Sequence, residues 1–391
     1  MDIVGKCGVY KCITVDNFQS FPQHLYFSEI LCILLYMNEK FISILDKIEE
    51  ALNRALPASE QADGVKTWKQ AAFGNVENVP YLHIQNLISP NRGLIDLGGK
   101  RWRPLLLILC YQMAKEMSGC NSSGKALTED QAYDLTPLVE FVHTASLIHD
   151  DIEDSADLRR GKPAAHITYG LDTALNAGSW LYFTAPVSID RADISDEMKL
   201  VLYKTYTREL RRLHLGQAMD IYWHRNPDIF PSQEEYFNMV KCKTGTLASL
   251  SAQVGCIAGG MSEAAAGELG EVAANIGIGF QIIDDVINLT TGNVGKKRGD
   301  DIVEGKKSLP VILHSVVAPQ DRRMIGGCME RAGKEGIDSP AVEECISILE
   351  SKGAIKAAAE KGTSLIRENC KKLNSDLIQE LFVSMIPENF R

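Results

Sequence analysis

Leu135-Thr-Pro-Leu-Val-Glu-Phe-Val-His-Thr-Ala-Ser-Leu-Ile-His149 is a helical run, apolar on nearly every side, that passes without a break into Asp150-Asp-Ile-Glu-Asp154. A helix that is apolar all round belongs inside a fold. The acids at its end therefore stand where a buried helix meets a cleft. Asp150 and Asp154 are four residues apart and share one helical face, where they repel each other without a cation between them.

The same pattern extends in both directions. Residues 105–114, 199–223, 236–258, 263–289 and 309–317 also read as helices, several of them buried. Short punctuation separates the helical stretches, as in Pro90-Asn-Arg-Gly93, Gly119-Cys-Asn-Ser-Ser-Gly124 and Asn226-Pro-Asp228. Few segments alternate with period two, so the expected fold is all-α, a single large helical bundle around a central cleft. No repeat of solenoid length and no low-complexity linker interrupts it. The expected partition is one catalytic domain over 37–391, preceded by an extension over 1–36. That extension is aromatic and cysteine-rich, whereas Met37 opens a good helical pattern with Ile42, Leu45, Ile48, Leu52 and Leu56 on one side, and Met37 is a candidate natural start.

Composition narrows the function. A net charge of −10 over 391 residues leaves no basic excess to displace counterions along a nucleic acid, so no nucleic-acid partner is expected. The ten cysteines form no CxxC pair and no zinc-like spacing, and free thiols in a reducing cytoplasm are expected. The apolar stretch from Leu25 to Met37 is interrupted by Glu29 and is shorter than the ~20 residues a helical span needs. It also lacks the layout of a signal peptide, so neither a membrane span nor a leader is expected.

A second acidic set, Asp284-Asp-Val-Ile-Asn288, follows the apolar Ile276-Gly-Ile-Gly-Phe280. One such motif reads as well as a solvated helix end. Two of them at the ends of apolar helices carry a desolvation cost that cations or a cleft explain, and paired oxygens on facing helices suit magnesium, which keeps coordination positions for water and phosphate. Three cationic clusters accompany the acids: Gly98-Gly-Lys-Arg-Trp-Arg-Pro104, Leu158-Arg-Arg-Gly-Lys-Pro163 and the run from Gly295 to Lys306. Each alone is ordinary surface. Together they suggest a cavity holding magnesium on carboxylates and anionic oxygens on lysine and arginine, and two diphosphates account for the number of cations.

Taken in order, Gly-Gly-Lys-Arg-x-Arg-Pro, His-Thr-Ala-Ser-Leu-Ile-His-Asp-Asp-x-x-Asp with Arg-Arg-Gly, Gly-Gln-x-x-Asp, Lys-Thr-Gly and Phe-Gln-x-x-Asp-Asp resemble the signature of the trans-isoprenyl diphosphate synthases. The resemblance covers most of the chain from Met37 onward. It implies that Asp150, Asp151 and Asp154 bind Mg²⁺ ions on an allylic diphosphate, with Asp284 and Asp285 holding a further ion from the opposite wall, three in all with substrate bound. It implies that Arg159, Lys243 and Lys297 add cations around that leaving group, that Lys100, Arg103, His143 and Arg160 hold isopentenyl diphosphate, that Thr244 and Gln281 line the reacting centre, and that Lys306 closes the last basic loop. It also implies a homodimer. Asn288 stands where many members have a third aspartate. The same Asn occurs in eukaryote-type geranylgeranyl synthases, which Gln217-Ala-Met-Asp-Ile-Tyr-Trp223 also resembles, whereas Gly99-Lys-Arg-x-Arg-Pro104 looks bacterial.

The chemistry so implied is ionisation of an allylic C–O bond, attack by the isopentenyl double bond and loss of a proton, with no protein nucleophile or assigned general base. His149 and His166 are read as packed residues. Product length is expected to follow from what blocks the growing chain below Asp150. Ala145 and Ser146 are small and leave room, whereas Phe141, beside Val142, is the expected floor for a twenty-carbon product, with a longer polyprenyl product as the alternative. Two rival readings are a class I terpene cyclase, which needs no second diphosphate site, and a non-catalytic partner subunit, which would be expected to lose its acids.

Overall fold

The structure, a computed structural model, describes residues 39–61, 64–118, 126–292 and 297–390. The extension 1–36, the punctuation at 119–124, and Gly295 and Lys296 lie outside the described residues. The chain divides into two compact units, Met1–Ser43 and Ile44–Arg391. The site residues described below belong to the larger unit.

Its architecture is helical, as expected. The helices that carry the site and its surroundings are α1 (Glu39–Ala55), α2 (Tyr81–Ile95), α3 (Trp102–Ser118), α4 (Pro137–Glu153), α5 (Leu171–Thr184), α6 (Asp196–His224), α7 (Thr246–Ala258), α8 (Glu263–Thr290), α9 (Leu309–Val317) and α10 (Ala354–Cys370). The strands among the described residues are a two-residue ribbon, β1 (Leu158–Arg159) paired antiparallel with β2 (Lys162–Pro163). Serine caps fix where long helices start: Ser195 accepts from the Met198 N–H at 3.3 Å and Ser262 from the Ala265 N–H at 3.3 Å, each satisfying an otherwise orphaned donor. Pro137, at the first turn of α4, has no N–H to orphan.

Every residue of α7 is buried, and α8 packs along both it and α10. Among the described residues α8 is long and apolar enough to cross a membrane by length and composition, but 67% of its most apolar window is buried in the protein. It is a central helix of the bundle.

One expected element breaks in two. The run 236–258 is a helix over Gln233–Val240, then a π-helical turn, Lys241–Gly245, and then α7. The wider turn inserts a residue into the helical ladder, a distortion often found at functional sites, and it carries Lys243 and Thr244. Gly216 on α6 makes the approach possible, since a Cβ there would come within 2.3 Å of the Lys243 backbone nitrogen.

Candidate active site

The helices converge on a cavity of about 530 Å³. Its α4 wall is the stripe His143, Ser146, Leu147, Asp150, and its α8 wall is Gln281, Asp284, Asp285, Asn288. Both stripes have the spacing of one helical face. The α6 wall supplies Leu213, His214, Gln217 and Asp220, and the π-helical turn supplies Lys243 and Thr244.

One half of the cavity is an acid cluster threaded with ammonium groups. Gln217 Nε2 donates to Asp150 Oδ1 at 2.9 Å and to Glu153 Oε2 at 2.5 Å. Lys243 Nζ lies 3.2 Å from Asp150 and 2.6 Å from Asp220. Burial would raise the Asp150 pKa, but the Lys243 and Lys306 ammoniums, Arg159 and the Gln217 hydrogen bond outweigh it, so Asp150 is held well below the usual carboxylate range. Asp154 goes the other way. Burial, with Asp150 and Glu304 nearby, pushes it up to about 6 against the pull of Lys306, whose Nζ is 3.4 Å away. Lys306 also pairs with Glu304 and Asp301, and these acids hold its pKa well above the ordinary value despite burial.

The other half is cationic. Lys100, Arg103 and Arg160 line it, and no carboxylate among the described residues lies within ion-pair distance of any of the three. Arg103 stacks on the Trp102 ring at 4.4 Å and places Nη1 3.2 Å from His143 Nε2. Burial first, then the guanidinium of Arg103, drives the His143 pKa well below its ordinary value, so the ring is neutral and its Nε2 accepts from Arg103. Burial and Arg160 bring Arg103 itself down to about 10 despite Glu140 and Asp284. A half-buried guanidinium with no carboxylate at ion-pair distance keeps donors free to meet an anion.

Asp151 and Asp285 are held differently. Asp151 is 1% exposed and accepts from Arg159 Nε at 2.8 Å. Asp285 accepts from the Tyr236 hydroxyl at 2.7 Å, from Gln281 Nε2 at 3.0 Å and from the Leu309 N–H at 3.4 Å, which makes it a cap for α9 as much as a cavity residue. Gln281 Oε1 in turn accepts from Thr244 Oγ1 at 2.8 Å. Asn288 Oδ1 accepts from the Asp301 N–H at 3.3 Å, tying α8 to the last basic loop.

Lys297 and Phe141 are not brought to the cavity. The Lys297 ammonium pairs with Asp338 at 2.8 Å and is largely exposed. Phe141, Val142 and Ala145 are fully buried in the bundle and do not line the cavity, and of the expected chain-length residues only Ser146 does so. The apolar and aromatic lining instead includes Leu147, Tyr182, Leu213 and Leu247. Phe141→Ala is therefore expected to destabilise the fold by about 3–5 kcal/mol, as for a large buried aromatic, without changing product length. Calorimetric unfolding and product mass check the two halves of that statement.

Residues 84–349 match the family model described as polyprenyl synthetase. The chain belongs to this family. It is 33% identical over 265 residues to a short chain isoprenyl diphosphate synthase of Methanocaldococcus jannaschii, covering 67% of this chain and 76% of that protein. It is 36% identical over 328 residues to a geranylgeranyl pyrophosphate synthase of Penicillium crustosum, covering 79% of this chain and 86% of that one. The crystal structure of geranylgeranyl pyrophosphate synthetase from Pyrococcus horikoshii superposes with a TM-score of 0.70 at 28% identity, over 89% of this chain and 98% of that one. Heptaprenyl diphosphate synthase from Staphylococcus aureus, at 23% identity and a TM-score of 0.66, shares the fold.

In this polyprenyl synthetase several site residues had no role assigned from the sequence: Glu153, Gln217, Asp220, Tyr236 and Asp301. Gln217 and Asp220 stand in the quoted Gly-Gln-x-x-Asp pattern, so a signal for them was present. Nothing in the sequence places Tyr236 opposite Asp285.

Lys307 lines the cavity and is 2% exposed. Its Nζ donates to the Gly305 carbonyl at 3.1 Å and lies 5.5 Å from the Phe230 ring centroid. Burial, only partly opposed by Cys345 and Asp228, lowers its pKa from 10.5 to about 8, which corresponds to about 3 kcal/mol of lost stability at neutral pH. The unfolded chain keeps this amine protonated to higher pH. Between pH 8 and 10.5 it therefore holds more protons than the folded protein, and this group makes stability rise with pH across that window. Lys307→Met is expected to raise the melting temperature at pH 7, with the gain shrinking toward pH 10, read by scanning calorimetry at the two pH values.

Proposed function

We propose that this chain is a magnesium-dependent trans-prenyltransferase that joins isopentenyl diphosphate to an allylic diphosphate, with geranylgeranyl diphosphate as product. The observation that carries the reading is the division of one cavity into an acid half and a cationic half in which Lys100, Arg103 and Arg160 have no carboxylate at ion-pair distance among the described residues. A single diphosphate held by metal uses only the first. Lys100, Arg103 and Arg160 are left for a second anionic substrate, which disfavours a cyclase, and the intact acids disfavour a partner subunit without activity.

The donor set fits magnesium. Asp150, Asp154 and Asp284 offer oxygens alone, as a hard cation requires. When bound, magnesium neutralises the charge that develops on the departing diphosphate. Asp150, Asp154 and Asp284 would hold it, while Asp151 and Asp285, already engaged by Arg159 and by Tyr236, Gln281 and the α9 N–H, fix the helices that present them.

The chain's own groups do the rest. Lys243 and Lys306 stand beside the acids with their charges secured by them, ready to stabilise the leaving diphosphate as the allylic C–O bond breaks. Lys100, Arg103 and neutral His143 orient isopentenyl diphosphate, so that its double bond meets the allylic carbon along a fixed path. The Thr244–Gln281 pair presents fixed dipoles at the reacting centre and leaves no side chain poised as a nucleophile. The new C–C bond forms, and the proton is lost to the diphosphate that left.

The chain is also proposed to act as a homodimer. Exposed apolar side chains on α5 and α6, among them Leu175, Phe183, Leu215 and Tyr222, support that, and a monomer across the micromolar range by sedimentation equilibrium would remove it. The activity is tested by supplying isopentenyl diphosphate with dimethylallyl, geranyl or farnesyl diphosphate, with Mg²⁺ and again with excess chelator. A twenty-carbon product that disappears with chelator is expected. Elongation unaffected by the chelator would sink the metal requirement, and no elongation with any starter would sink the function.

A further inference from the structure

The turn between α2 and α3 carries Lys100 and Arg103, and its backbone is unusual. Gly98 and Gly99 have φ of 75° and 145°, and Arg101, which is not glycine, has φ of 47°. A side-chain-bearing residue stays in that region when its surroundings hold it there. Arg101 is 5% exposed and turns away from the cavity. Its Nε donates to Glu49 on α1 at 2.6 Å, its Nη1 to Glu140 on α4 at 2.6 Å, and its Nη2 to the Ile95 carbonyl at the end of α2 at 2.7 Å. Glu140 is itself 3% exposed. One guanidinium thus fastens the cation-bearing turn to α4, the helix that also carries His143 and Asp150.

We propose that Arg101, through Glu140 and Glu49, is a positioning residue for the isopentenyl diphosphate half of the site, setting Lys100 and Arg103 at a fixed distance from the acid half. The inference rests on the assignment of that half to isopentenyl diphosphate made above. The fork is what matters: three donors in one plane reach three acceptors on three elements, and the ammonium of a lysine, a single point, does not reproduce this. From the other side Arg160 donates to the carbonyls of Leu94 and Gly98, and a Cβ on Gly99 would come within 2.9 Å of its Nη2, so the turn is clamped between two guanidiniums.

The test compares Arg101→Lys and Glu49→Gln with the unaltered chain in steady-state kinetics, varying isopentenyl diphosphate and the allylic diphosphate separately, with melting temperatures measured alongside. Small misplacements of binding groups are costly, so KM for isopentenyl diphosphate should rise about tenfold in Arg101→Lys and less in Glu49→Gln, with kcat and the allylic KM within about twofold. A lowered melting temperature with both KM values unchanged, or an equal rise in both, overturns the proposal. If Arg101→Lys does not fold, Glu49→Gln decides alone, since its carboxylate is 45% exposed and its loss leaves the Arg101–Glu140 pair in place. An unaltered chain that condenses nothing defeats the functional reading itself, whereas one that condenses normally while the variants show no split in KM defeats only this inference.

Discussion

Asp150→Asn is expected to lower kcat by on the order of 10²–10³ while the helical fold persists. The carboxylate lies at the centre of the acid cluster, accepting from Gln217 at 2.9 Å and sitting 3.2 Å from Lys243. An amide of the same shape keeps one oxygen for Gln217 but gives up the charge that would share a cation with a departing diphosphate. The loss therefore falls on the step in which charge develops, in kcat more than in KM. Lys243 keeps its pairing with Asp220, so the neighbouring ammonium is not orphaned and circular dichroism should change little. A variant with kcat within threefold of the parent would show that Asp150 does not take part in the step.

Ser146→Phe is expected to shorten the product from the proposed twenty carbons to fifteen. Ser146 lies on the cavity face of α4, about one turn, or 5.4 Å, below Asp150, and its hydroxyl is turned back onto the His143 carbonyl at 2.8 Å. A phenyl ring there would fill space that the growing chain needs. With geranyl diphosphate as starter, product mass should stop at the fifteen-carbon ester. A twenty-carbon product would mean that the chain passes Ser146 on another side, toward Tyr182 and Leu213.

Much of this was legible in the residues, because the periodicity that marks buried helices and the offset that pairs carboxylates are both local. Asp150 with Asp154 follows from spacing alone, Gln281 beside Asp284 came with the family signature, and the structure places Lys100, Arg103 and Arg160 together as their clusters suggested. The expected floor went astray through angle, not distance. Phe141 is nine residues before Asp150, and at about 100° per residue that puts it on the opposite face of α4, whereas His143 and Ser146 share the face of Asp150. Lys297 sits near acids in sequence yet pairs with Asp338, since where a loop leads after a helix is set by tertiary packing. The grip of Tyr236 on Asp285 and of Arg101 on Glu140 joins residues distant in sequence, with no local pattern to announce it.

Whether one cavity condenses two diphosphates is decided by the release of inorganic diphosphate from farnesyl diphosphate and Mg²⁺, first alone and then with isopentenyl diphosphate added. Little release alone, and release on addition matched one for one by geranylgeranyl diphosphate, is expected. Rapid release from farnesyl diphosphate alone, with hydrocarbon or alcohol as product and no response to isopentenyl diphosphate, would contradict it.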